Sequence, residues 1–89
     1  MLIRSQDKRI LINMNNVSSI EVGDNELRIF ADDGETIYDL GNYSTKAKAM
    51  KVLDMIQEAY ERYEYEKVFK TGLTLFETFQ MPEDGSVEV

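Results

Sequence analysis

The sequence predicts an α+β fold, an antiparallel β-meander covered by one long amphipathic helix, with a further strand near the C-terminus. Two observations predict it. From Ser44 to about Lys67, Met50, Leu53, Ile56, Tyr60 and Tyr63 recur at steps of three and four, which lines them along one side of an α-helix, and Ala49, Val52 and Ala59 widen the stripe. Before it, short segments with period-two alternation are separated by polar and glycine-containing turns. An amphipathic helix must cover something apolar, and the β-rich segments on either side are the only candidates.

Each element follows from its residues. Leu2-Ile3-Arg4 reads as a first strand and Ser5 to Lys8 as a polar turn. Ile10, Ile12 and Met14 alternate with Leu11 and Asn13 in a second strand, which Asn15-Asn16 breaks. A third runs from Val17 to Val22, with Ile20 and Val22 on one face, and Gly23-Asp24-Asn25 is a turn by composition. In the fourth, Leu27 and Ile29 alternate with Arg28 and Phe30. Asp32-Asp33-Gly34 closes a hairpin, Gly34 supplying a positive φ, and Thr36 to Leu40 returns. Strands joined this closely are antiparallel, because a parallel crossover needs a dozen or more residues. Ser44 or Thr45 supplies the hydroxyl that caps the helix, and Glu58 with Arg62 and Glu66 with Lys70 set acids four residues before bases. After the Lys70-Thr71-Gly72 break, Leu73, Leu75, Phe79 and Met81 define the last strand, and Pro82 ends it. Residues 1–81 are expected as a single domain and 82–89 as a loose acidic tail.

Composition excludes several classes of function. The chain has 89 residues, 43% of them hydrophobic and 30% charged, which suits a globular domain. It has neither cysteine nor histidine, so disulfides, thiolate sites, the usual transition-metal ligands and the usual neutral-pH general base are absent. No nucleophile–base pair is visible, and the expectation is a protein that is not an enzyme and carries no cofactor or metal. The net charge of −7 disfavours direct nucleic-acid binding. No run approaches the roughly 18 apolar residues of a membrane span, and the start lacks the character of a signal peptide, so a cytoplasmic location is expected.

Two basic groups stand out against this acidic background as anion-binding candidates. Lys46, Lys48 and Lys51 crowd the helix start, where the macrodipole normally favours acids; with Ser44, Thr45 and the first backbone N–H groups they have the makings of a phosphate site. Arg4, Lys8 and Arg9 surround the first turn, where two guanidinium groups on one hairpin suit a carboxylate or phosphate. The alternative for both is solvated surface charge. Phe30, Tyr38 and Tyr43 offer a stacking surface for a ring, against the alternative of core aromatics. Asp24, Glu26, Asp32, Asp33 and Glu35 gather at hairpin tips but lack a calcium-loop pattern, and turn chemistry explains them better. The last strand follows a glycine break and is free to reach a neighbour's sheet edge. A homo-oligomer held through Leu73, Leu75, Phe79 and Met81 is therefore expected, which would also cover apolar surface that so small a domain cannot bury alone.

Ile3-Arg4-Ser5-Gln6-Asp7-Lys8, the strands that follow, Leu40-Gly41-Asn42-Tyr43-Ser44 entering the helix, and Phe79-Gln80-Met81-Pro82 together resemble a group of small proteins from phages and prophages of low-GC Gram-positive bacteria. The similarity spans roughly residues 1–60 and the closing motif. It implies a phage accessory protein acting inside a bacterial host, and it carries over no catalytic residues. The meander with its covering helix is also similar to a pleckstrin-homology-like half-barrel, an analogy of fold alone. The expected function is nonenzymatic binding that interferes with a host partner, plausibly a defence system. The alternatives are a homo-oligomeric sponge for a nucleotide-like signal and a structural or regulatory virion component.

Overall fold

The computed structural model describes residues 1–23, 27–69 and 77–89. It is an α+β fold of six short strands and one long helix: β1 Leu2–Arg4, β2 Leu11–Asn13, β3 Ser19–Val22, β4 Arg28–Asp32, β5 Ile37–Asn42, α1 Lys46–Phe69 and β6 Thr78–Gln80. The strands form two three-stranded sheets, ordered β2-β1-β6 and β3-β4-β5. The division falls after β2, where Asn13 caps a 3₁₀ turn over Met14–Asn16 by accepting the Asn15 N–H at 3.0 Å and so turns the chain out of the first sheet.

Adjacent strands pair antiparallel, Ile3 opposite Ile12 and Ile20 opposite Ala31, as the short connections require. β4 and β5 also run antiparallel, with a register irregularity between Ile29 and Phe30. Gly34 in their hairpin has φ 98°. A bond between the Gln6 N–H and the Leu40 carbonyl, 2.7 Å, links the end of β1 to β5, and a side chain at Gly41 would press on Gln6 at 3.2 Å. No helix among the described residues is long and apolar enough to cross a membrane.

The core is built from alternate residues of the strands and one line of the helix: Ile3, Ile12, Ile29, Ala31 and Leu40 meet Ala49, Val52, Ile56 and Ala59. The helix packs on β3 and β4. Its buried line is displaced by about one position from the expected stripe. Met50 is 43% exposed and Leu53 only partly covered, whereas Ala49 and Val52 are fully buried. Small residues allow the backbone of α1 to lie close to the sheet. The larger side chains then stand to one side of the contact.

Two further expectations are corrected. β6 does not reach away from its own sheet: it pairs in parallel with β1, Phe79 opposite Ile3, and the helix supplies the long crossover that parallel pairing needs. Met81 is 1% exposed, and the partly buried Phe79 packs against the same core. Leu73 and Leu75 lie outside the described residues. The segment after Pro82 is not a loose tail. Val87 is buried in the core at 5% exposure, and Asp84–Ser86 forms a 3₁₀ turn over the start of α1.

Candidate binding groove

Leu53 and Tyr60, beside the buried helix line, help form one wall of an open groove with a volume of about 470 Å³. Leu53, Ile56, Gln57 and Tyr60 line it from α1, and Met14, Val17, Ser18, Ser19 and Ile20 line it from the 3₁₀ turn and β3. Side chains alternate across a strand, so consecutive residues cannot all line a groove from one strand face. Ser18, Ser19 and Ile20 therefore place the groove along the margin of the sheet, where β3 is the terminal strand. Its floor is apolar, with Met14, Val17, Ile20 and Tyr60 packed against the core from above.

Three polar side chains of the groove, those of Ser19, Gln57 and Tyr60, are each tied to a carboxylate. Ser19 Oγ donates to Glu21 Oε2 at 2.9 Å, and Gln57 Nε2 donates to Glu61 Oε1 at 3.0 Å. The Tyr60 hydroxyl bonds to the Glu64 carboxylate, and that bond, reinforced by the carboxylate's charge, raises the phenol above its usual range. Among the described residues no lysine or arginine lines the groove. The sequence pattern places Leu53 and Tyr60 in the core and Met14 on the buried face of the second strand, and does not mark Ser18, Ser19 or Gln57. A signal was present: the helix carries more large apolar side chains than strands of three to six residues can cover.

The structure shows what occupies the expected anion sites. At the helix start, Thr45 is the cap, its Oγ1 accepting the Lys48 N–H at 3.1 Å. The anion that a helix N-terminus favours is present, and the chain supplies it. Asp84 Oδ1 accepts the Ser44 N–H at 2.6 Å, and Lys48 Nζ lies 3.3 Å from Asp84 Oδ2 and donates to the Asp84 carbonyl at 3.1 Å. The Ser44 N–H first, then the Ser44 side chain and Lys48, hold this carboxyl below the ordinary aspartate range. Lys46 and Lys51 are exposed and take no part.

The first turn is likewise closed around a carboxylate of its own. Asp7 Oδ1 accepts Ser5 Oγ at 2.6 Å and the Arg9 N–H at 3.0 Å, and these bonds lower its pKa. Arg4 Nε donates to the Lys8 carbonyl at 3.2 Å, and Lys8 takes a positive φ of 67°. Arg4, Lys8 and Arg9 are thus brought around one turn, with Asp7 bound at its centre.

The aromatic candidates do not assemble. Phe30 carries the Arg28 guanidinium 5.0 Å from its ring centroid, Tyr38 donates to Asp33 Oδ2 at 3.2 Å, and Tyr43 is buried with its hydroxyl donating to the Pro82 carbonyl at 2.8 Å. Burial first, and the charge of Asp84 second, push the Tyr43 phenol up to about 12. The hairpin acids serve the backbone: Asp32 Oδ1 accepts the Gly34 N–H, and Asp33 Oδ1 accepts those of Glu35 and Thr36. Asp24 and Glu26 lie outside the described residues. Among the described residues no group of three or more acidic side chains is placed to hold a metal.

No protein-family model, no curated protein and no solved structure matches the chain.

Proposed function

We propose that this protein is a nonenzymatic binding protein, a phage accessory factor that engages a protein of its bacterial host, part of a defence system, and that it does so through the groove between β3 and α1. The observation that carries the reading is the position of Leu53 and Tyr60. They are large apolar groups left beside the buried helix line, facing, across an open cleft, a sheet margin that pairs with no strand among the described residues. An apolar cleft of about 470 Å³ is of the size that recognition sites use, and exposed apolar surface bounded by polar groups marks interaction sites. The resemblance to small phage proteins supplies the cellular setting.

The basic groups contribute less, because Asp84 and Asp7 already take the donors that a phosphate would need. Affinity capture from a host lysate tests the proposal, with the native protein beside Leu53→Lys. A half-exposed lysine keeps its charge in water and spares the core, but it places a cation in the cleft. A partner retained by the native chain and lost by Leu53→Lys is the expected result. Equal retention by both would remove the groove from the reading.

A further inference from the structure

The rim of the groove narrows what can fill it. Ser19, Gln57 and Tyr60 each hold a carboxylate, of Glu21, Glu61 and Glu64 respectively, so acids flank the apolar floor on both walls. On α1, Glu61 and Glu64 lie four residues beyond Gln57 and Tyr60 and so on the same side of the helix. The net charge of −7 adds a background field of the same sign. β3 is the terminal strand of its sheet, and among the described residues its outer edge pairs with no strand.

We infer that the groove receives an extended segment of a partner protein, laid along the β3 edge, whose alternate side chains are apolar and basic. The inference rests on the binding-protein reading and specifies the partner's chemistry. An extended segment gains main-chain hydrogen bonds from an open strand edge, and its alternation sends one set of side chains to each side. The apolar set enters the floor at Ile20 and Leu53 on the side of α1, and the lysines or arginines turn to the other face at Glu21, with Glu61 and Glu64 adding a field of the same sign. An anionic membrane or a nucleic acid meets the wrong charge at this rim.

The probe is a soluble hexapeptide, acetyl-Lys-Val-Lys-Ile-Lys-Val-amide, titrated into the ¹⁵N-labelled full chain to millimolar concentration, beside its analogue with Glu for Lys. Expected are amide shifts over Ser18 to Val22 and Leu53 to Tyr60 with the basic peptide alone. Affinity should weaken about tenfold or more in the triple variant Glu21→Gln/Glu61→Gln/Glu64→Gln, and several-fold on adding salt. Absent shifts, shifts confined to other surfaces, equal binding of the acidic analogue, or undiminished affinity in the triple variant would each overturn the inference. Those results leave the binding-protein reading to its own test. A captured host partner that Leu53→Lys loses and the triple Gln variant keeps would retain that reading and refute the basic extended segment.

Discussion

Lys48 and Asp84, thirty-six residues apart, meet at the start of α1, with Nζ 3.3 Å from Oδ2. The contact fastens the last residues of the chain over the helix N-terminus and satisfies the Ser44 N–H at the same point. Asp84 therefore couples the C-terminal segment to pH. Its folded pKa lies below the ordinary 3.8, so the stability it contributes is present above the unfolded value and is lost as pH falls through the folded one. On acidification from neutral pH the Ser44 amide resonance should shift as this carboxyl protonates, with a midpoint below the ordinary 3.8. In Asp84→Asn that acid transition should vanish from Ser44. An unchanged acid transition in the variant would assign it to another group.

Tyr43 sets the opposite limit. Its folded pKa of about 12 exceeds the ordinary 10.0, so its contribution is complete below pH 10 and is lost as pH rises toward 12. Tyr43→Phe should flatten that alkaline decline and, by removing the bond to the Pro82 carbonyl, cost about 1 kcal/mol at neutral pH. Urea denaturation at neutral and alkaline pH reads both effects, and a variant that loses stability between pH 10 and 12 as steeply as the native chain would contradict the assignment.

Ending the chain after Met81 removes Val87 from the core and Asp84 from the helix start. Burying a valine is worth about 1.5 kcal/mol or more, so the shortened chain should unfold at clearly lower urea. An unchanged midpoint would mean that residues 82–89 are a tail after all.

On the helix, Ile56→Ala should cost about 2–5 kcal/mol, because Ile56 is 2% exposed, whereas the half-covered Leu53 should cost on the order of 1 kcal/mol as Ala. Equal losses in equilibrium unfolding would restore Leu53 to the buried face.

That pair shows how far the residues could be read in advance. Helical spacing from Met50 to Tyr63 and alternation in the strands are local signals, and both survive in the structure. Which side of a broad apolar stripe is buried depends on the surface it meets, and spacing alone does not encode that. Ala49 and Val52 prevail over Met50 and Leu53 because small side chains let α1 approach β3 and β4. The bonds of Asp84 to Ser44 and Lys48, and the parallel pairing of β6 with β1, join residues far apart in the chain and leave no periodic trace. The excess of lysines at the helix start was legible, but the carboxylate that accompanies it lies forty residues away at Asp84.

The most direct measurement places a photo-crosslinking amino acid at Gln57, on the groove, and separately at Ile37, an exposed position on β5 at the other edge of that sheet. Both proteins are irradiated in host cytosol. The expected result is a discrete adduct of one host protein from position 57, none from position 37, and loss of the adduct when Leu53→Lys is added. Adducts of equal yield from both positions, undiminished by Leu53→Lys, would contradict it.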